Sequence, residues 1–347
     1  ITPSLVVVAS LSASAVAPSP VARAPPETVS LASPVTTRSL PATADCRFLT
    51  GPSASGKTSV GIEWAQRIGA EIVSMDSMAL YRGMDIGTAK PTPQERSRAP
   101  HHLIDILDPC EEFSLAEYVD RATEAVERIR DAGREPIFVG GTPLYLKALL
   151  RSVFVGPPAD WPFRRRLAEE ARQRGPHWLH QKLAAVDPQA AERLHANDTR
   201  RIIRALEVHA NTGRPISQWQ QQFDRSRPAS ECRVFLLDWP GEELNRRIDR
   251  RVDAMFAAGL VAEVERLLVR GGELGRTASQ AVGYREVREH LAGRRELDET
   301  IALVKTRTRQ FAKRQRTWFR SLSECRPVEV SRAESPEEVA ARILAQF

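Results

Sequence analysis

Gly51-Pro52-Ser53-Ala54-Ser55-Gly56-Lys57-Thr58 matches the pattern G-x-x-x-x-G-K-[ST] at every fixed position. Glycines let the backbone curl inward, so that successive N–H groups point at one phosphate. A helix starting there adds partial positive charge, Lys57 adds a full one, and the Thr58 hydroxyl is placed to hold Mg²⁺. The pattern specifies a phosphate or pyrophosphate, not its carrier and not hydrolysis. Two further places carry chemistry. Asp76, in Ser74-Met75-Asp76-Ser77, is a general base, a Mg²⁺ ligand or the cap of a following turn. Thr142, in Gly140-Gly141-Thr142, is a ligand contact or the N-cap of a helix over Leu144 to Leu149, and the two glycines allow close backbone approach.

These residues need strands to carry them. Cys46 to Thr50, Glu71 to Ser74, Pro136 to Val139 and Val234 to Trp239 read as strands. Thr58 to Ile68 and Phe113 to Asp131 read as helices stopped at Gly69 and Gly133. Alternating strands and helices predict an α/β fold: a parallel sheet of the P-loop NTPase type, flanked by helices. Ligands of such sheets bind beyond the carboxyl ends of the strands, so the three motifs should meet in one crevice. From about Ser152 the texture becomes Arg-rich and helical (Phe163 to Arg174, His177 to Val186, Thr199 to Asn211), which predicts a helical insertion over 152–228. The core then comprises 45–151 and 229–325, with 326–347 as a C-terminal tail or helix. Val234-Phe235-Leu236-Leu237-Asp238 is the nearest approach to a Walker-B strand, far down the chain.

With 42% hydrophobic and 27% charged residues among 347, a large core can be buried. Four cysteines without a CxxC pair exclude a zinc module and a disulfide scaffold, so a reducing, cytoplasmic setting is expected. No run of 18 apolar residues predicts a membrane span. In residues 1–44, Pro, Ser, Thr and Ala fill 29 positions, and only Arg23, Glu27 and Arg38 are charged. That segment is expected to be disordered or foreign to the native fold. No basic residue precedes the apolar run Leu5 to Val8, which argues against a secretory leader.

Residues 305–320 hold seven basic side chains and no acidic one. On a helix, Arg309, Lys313, Arg316 and Arg320 form one stripe, with Val304, Phe311, Trp318 and Leu322 toward the core. A run of one sign favours a nucleic-acid partner over a solvated face of mixed charge.

Taken together, GPSASGKT, SMDSMALYRGMDIGTAKP (74–91), HHLID (101–105), VGGTPLYLKALL (139–150), NDTRRIIRALEV (197–208), AVGYRE (281–286) and TRQFAKRQRTWFR (308–320) resemble the tRNA dimethylallyltransferase family, bacterial type, over roughly residues 47–320. The resemblance implies transfer of a dimethylallyl group from its diphosphate to the N6 amine of the adenosine beside the tRNA anticodon, with Mg²⁺. It makes Asp76 the base, with Thr142 and Lys57 as further catalytic groups, and Gly51 to Thr58 the diphosphate cradle. It carries over tRNA contacts at Asp76, Ser77, Met78, Ala79, Thr142, Arg164, Arg200, Arg201, Arg204, Gln280, Gly283, Tyr284, Arg285, Lys313, Arg314, Gln315, Arg316, Trp318 and Arg320. A monomer suits an enzyme enclosing the anticodon arm. Three rivals share parts of this pattern: a small-molecule kinase, a prenyltransferase acting on free adenine nucleotides, and a non-catalytic RNA-binding protein.

Overall fold

The computed structural model describes residues 37–38, 46–154, 156–220, 226–271 and 274–347. The expected disorder of 1–44 thus lies outside the described residues, apart from Thr37–Arg38. The strands are β1 (Thr37–Arg38), β2 (Arg47–Thr50), β3 (Glu71–Ser74), β4 (His101–His102), β5 (Pro136–Gly140), β6 (Val153–Phe154), β7 (Arg233–Asp238) and β8 (Cys325–Glu329). Six of them form one sheet in the order β4-β3-β5-β2-β7-β8, every pairing parallel. The remaining two, β1 and β6, pair antiparallel.

The helices are α1 (Lys57–Ile68), α2 (Pro93–Arg98), α3 (Leu115–Asp131), α4 (Pro143–Arg151), α5 (Trp161–Arg174), α6 (Pro176–Val186), α7 (Pro188–Arg193), α8 (Thr199–Thr212), α9 (Ile216–Trp219), α10 (Gly241–Ala257), α11 (Leu260–Gly271), α12 (Tyr284–Leu291), α13 (Leu297–Arg320) and α14 (Pro336–Leu344). Their ends follow local chemistry. A capping box of Ser114 and Glu117 starts α3, and Gly69, at φ 66°, ends α1 in the left-handed conformation that glycine adopts without strain.

Successive strand residues point to opposite faces, and both faces are covered. Phe48, Val234 and Leu236 pack with α3, α4, α11 and α12. Leu49, Phe235 and Leu237 pack with α1, α10 and α14. Helices α5 to α8 bury a third cluster of their own, including Leu167, Leu179, Leu183, Ile202 and Val208. The stretch expected as a C-terminal tail supplies most of β8, the sixth strand, and α14. Its residues Arg326-Pro327-Val328 give too short an apolar run to be read as a strand.

Register decides what the sheet presents. Thr50 lies opposite both Gly140 and Leu236, and Ser74 lies opposite Val139. Adjacent strands run about 4.8 Å apart. The segments leaving β2, β5, β3 and β7 therefore emerge side by side, bringing Gly51, Gly141-Thr142, Met75-Asp76 and Trp239 to one edge. Among the described residues no helix is long and apolar enough to cross a membrane.

Candidate active site

The loop 51–56 is braced by side chains distant in sequence. Gln315, buried on α13, accepts from the Ser53 N–H at 2.9 Å and donates through Nε2 to the Gly141 carbonyl at 2.6 Å. One amide thus ties the phosphate loop to the GGT segment. Trp239 Nε1 donates to the Ser55 carbonyl at 2.8 Å, and Arg247 Nε donates to the Ala54 carbonyl at 2.8 Å. Gly56 has φ 88°, which favours glycine, and Ala54 is held at φ 63° despite its Cβ. With the Ala54 and Ser55 carbonyls held by these partners, and the Ser53 and Ser55 N–H groups engaged by Gln315 and the Pro52 carbonyl, the place for an anion falls to the N–H groups that open α1.

Lys57 Nζ donates to the Pro52 carbonyl at 2.9 Å, closing the loop over itself. Burial lowers the Lys57 ammonium to about 8; Arg251 adds to the depression and Asp76 opposes it. Burial also lowers the Arg251 guanidinium, with Asp76 opposing and Arg247 adding. Lys57, Arg251 and Arg247 thus form a cationic group, with Asp76 acting on Lys57 and Arg251 and Glu243 acting on Arg247. An incoming polyanion would stabilise the positive charge that remains. Arg247 and Arg251 did not stand out in the sequence. The available signal was their i, i+4 spacing on the helix that follows strand Val234 to Asp238, itself ending at the crevice.

Asp76 Oδ1 accepts from the Met78 N–H at 2.9 Å, so the carboxylate does cap the following turn, and it also lines a cavity of about 420 Å³. Thr142 occupies the N-cap position of α4, yet its hydroxyl caps nothing there. It accepts from the Ser77 N–H at 3.1 Å instead, locking the DS and GGT segments together. Gly140 is required here, because a Cβ would fall 2.3 Å from the Met75 carbonyl carbon. The same cavity is walled by Ser53, Lys57, Met78, Gln280, Gly283, Arg314 and Gln315, and by the apolar Val252, Met255, Leu260, Val282, Val304 and Phe311. A second cavity of about 940 Å³ lies along Ala54 to Ser59, Arg247, Arg250 and Arg251. Thr58, Lys57 and Asp76 also line a pocket of about 70 Å³.

Other expected contacts are placed differently. Ala79 is buried beneath the cavity. Tyr284 is fully buried, its hydroxyl donating to Glu263 Oε1 at 2.5 Å, while Glu263 also accepts from the N–H groups of Asp85, Ile86 and Gly87. Gln315 supports the phosphate loop rather than facing outward. The basic stripe of α13 turns largely onto acids: Arg309 pairs with Asp249, and Arg316 and Arg320 both pair with Asp238. Asp238, the Walker-B-like residue, is thereby engaged by two arginines. Phe311 and Trp318, expected to pack inward, are 38% and 41% exposed, and Phe319 takes the core position. Lys313 and Arg314 are exposed beside them. Arg164 and Arg204 share the buried Glu207, while Arg200, Arg201 and Arg285 are exposed.

The IPP transferase family profile matches residues 79–322. The chain belongs to the IPP transferase family. It is 48% identical over 290 residues to the tRNA dimethylallyltransferase of Rhodopirellula baltica, covering 81% of this chain and 87% of that one. It is also 48% identical over 274 residues to that of Geobacter metallireducens, covering 79% and 89%. A crystal structure of a tRNA isopentenylpyrophosphate transferase from Bacillus halodurans superposes with TM-score 0.62 at 38% identity, over 87% of this chain and 96% of that one. A eukaryotic dimethylallyltransferase acting on tRNA superposes with TM-score 0.71 at 26% identity, over 87% and 78%. The six-stranded parallel sheet with its flanking helices is thus the fold of this family.

Proposed function

We propose that this IPP transferase moves a dimethylallyl group from dimethylallyl diphosphate to the N6 amine of adenosine 37 in the tRNA anticodon arm. The observation that carries the reading is the shared cavity. Lys57 and Arg251 line it together with Asp76 and an apolar wall, and both also line the larger cavity along Ala54 to Ser59 and Arg247. A diphosphate seated on the loop meets Lys57, Arg251 and Arg247. The apolar wall, including Met255 and Leu260, takes the five-carbon chain. As the allylic C–O bond breaks, its electron pair leaves with the diphosphate, and the cationic group stabilises that charge where it develops. The adenine nitrogen forms the new C–N bond and passes its proton to Asp76. Thr142, fixed by the Ser77 N–H, orients the incoming amine.

A Mg²⁺ ion fits the same place. Thr58 supplies a hydroxyl oxygen at one small pocket, and such an ion keeps much of its coordination for phosphate oxygens and water. When bound, it would neutralise charge on the leaving group. To reach the cavity the adenosine must leave its stack, which suits a single-stranded loop better than a duplex. A monomer suits an enzyme that encloses the anticodon arm, and a tRNA substrate supports a cytoplasmic setting.

Incubation with dimethylallyl diphosphate, Mg²⁺ and either tRNA or AMP tests the reading. Prenylated tRNA with equimolar diphosphate is expected. Prenylated AMP, or phosphate transfer from ATP without prenyl transfer, would contradict it.

A further inference from the structure

Trp161, the first residue of α5, is 37% exposed. Two guanidinium groups approach its ring, Arg276 at 4.1 Å from the centroid and Arg164 at 4.8 Å. They belong to different parts of the molecule. Arg164 lies on α5, and Arg276 lies in the loop between α11 and α12. That loop is tied down at Gly275, whose N–H donates to the Pro109 carbonyl at 2.8 Å and whose Cβ, were there one, would fall 2.8 Å from the Cys110 carbonyl oxygen. The residues after Arg276 enter the reaction cavity directly: Thr277 and Gln280 line it together with Asp76. The indole therefore stands at the cavity rim.

The position of the indole is built rather than incidental. Glu207 is fully buried and accepts from the Asp160 N–H at 2.7 Å, from Arg164 at 2.8 and 2.7 Å, and from Arg204. It fixes both the start of α5 and the arginine beside the ring. Arg200 and Arg164 act on the Arg276 charge as like neighbours, with Glu112 opposing them. A partly exposed indole with guanidinium groups stacked over its ring, next to a cavity that must admit a single base, offers ring and guanidinium planes on which a nucleobase can stack, with the same cations at hand for its phosphates.

We propose that Trp161 and Arg276 form a stacking seat for a nucleotide flanking the adenosine that enters the cavity, with Glu207 as the positioning residue behind it. This rests on the RNA-prenylating reading above. The seat holds the loop in register while the flipped base reacts, and it touches neither the diphosphate nor the proton transfer.

The test uses the full chain and an anticodon stem-loop RNA. Trp161→Ala is expected to raise both Kd and KM for the RNA about tenfold, the range of one lost base stack. The kcat and the KM for dimethylallyl diphosphate should stay within about twofold. Trp161→Phe should recover most of the affinity, because a ring remains. Arg276→Gln and Glu207→Gln should weaken RNA binding in the same direction. Unchanged RNA affinity in Trp161→Ala, with or without a lower melting temperature, would overturn the proposal, since the indole would then only pin α5 to the loop. Equal losses of kcat and diphosphate affinity would also overturn it. Equilibrium RNA binding reads the seat without turnover, so a wild-type chain that binds RNA through Trp161 but prenylates nothing would sink the functional reading and leave the seat standing.

Discussion

At the scale of single residues, Asp76 and Lys57 carry the sharpest expectations. Asp76→Asn keeps the shape and removes the proton acceptor. Its kcat should fall about 10² to 10⁴-fold, or about 3 to 5 kcal/mol of barrier, while RNA still binds in an equilibrium measurement. Lys57 must be protonated to hold the diphosphate, and burial, aided by Arg251, lowers its ammonium from 10.5 to about 8. The kcat/KM for dimethylallyl diphosphate should therefore fall as pH rises above about 8. Lys57→Arg should move that downturn beyond pH 10, because a guanidinium stays charged there; a wild-type profile flat to pH 10 would contradict this. The same shift has a stability sign. The unfolded chain keeps this proton up to 10.5 and the folded chain only to about 8, so folding stability rises with pH across that window. At neutral pH the charge is a cost, and Lys57→Met should raise the melting temperature by roughly 1–2 °C, about 1 kcal/mol, while abolishing diphosphate binding.

At the scale of elements, α13 joins the two loops that make the site. Gln315 is its contact with both, through Ser53 and Gly141. Gln315→Leu fills the space but leaves the buried Gly141 carbonyl without its partner, at about 1–3 kcal/mol, and frees the part-buried Ser53 N–H at a smaller cost. Urea unfolding should show a loss of that order, and KM for dimethylallyl diphosphate should rise more than kcat falls. This helix also marks where the sequence stops being readable. Its run of one charge sign was visible, but the acids that meet Arg309, Arg316 and Arg320 lie on β7 and α10, 60 or more positions away in the chain. Only the fold brings them together. Phe311 and Trp318 look like core residues by spacing, yet the helix turns Phe319 inward instead. The strands carrying the three motifs were legible because their apolar runs end in residues with chemistry. Two-residue β4 and Pro-containing β8 were not, since neither has a run long enough to signal itself. Arg247 and Arg251 were hidden for a related reason, being two arginines on a helix already rich in them.

At the scale of the whole molecule, the formal charge is +6, and exposed cations flank the cavity on two sides. Arg200 and Arg276 stand on one, Lys313 and Arg314 on the other. If four such groups each meet a phosphate of a single-stranded loop, the logarithm of the RNA association constant should fall with the logarithm of salt at a slope of about −3. A filter-binding series in KCl measures it, and a slope near zero would remove the polyanion from the account. The parallel register of β2, β3, β5 and β7 is what lets one small crevice collect a phosphate loop, a carboxylate and an apolar wall from residues 51 to 315. The direct test is a rapid-quench single turnover with dimethylallyl diphosphate and anticodon stem-loop RNA, following prenylated RNA and released diphosphate in the same samples. The expected result is one diphosphate per prenylated adenosine in the wild type, and both signals slowed together by about 10² to 10⁴-fold in Asp76→Asn. Wild-type rates in that variant, or release of monophosphate in place of diphosphate, would contradict the account.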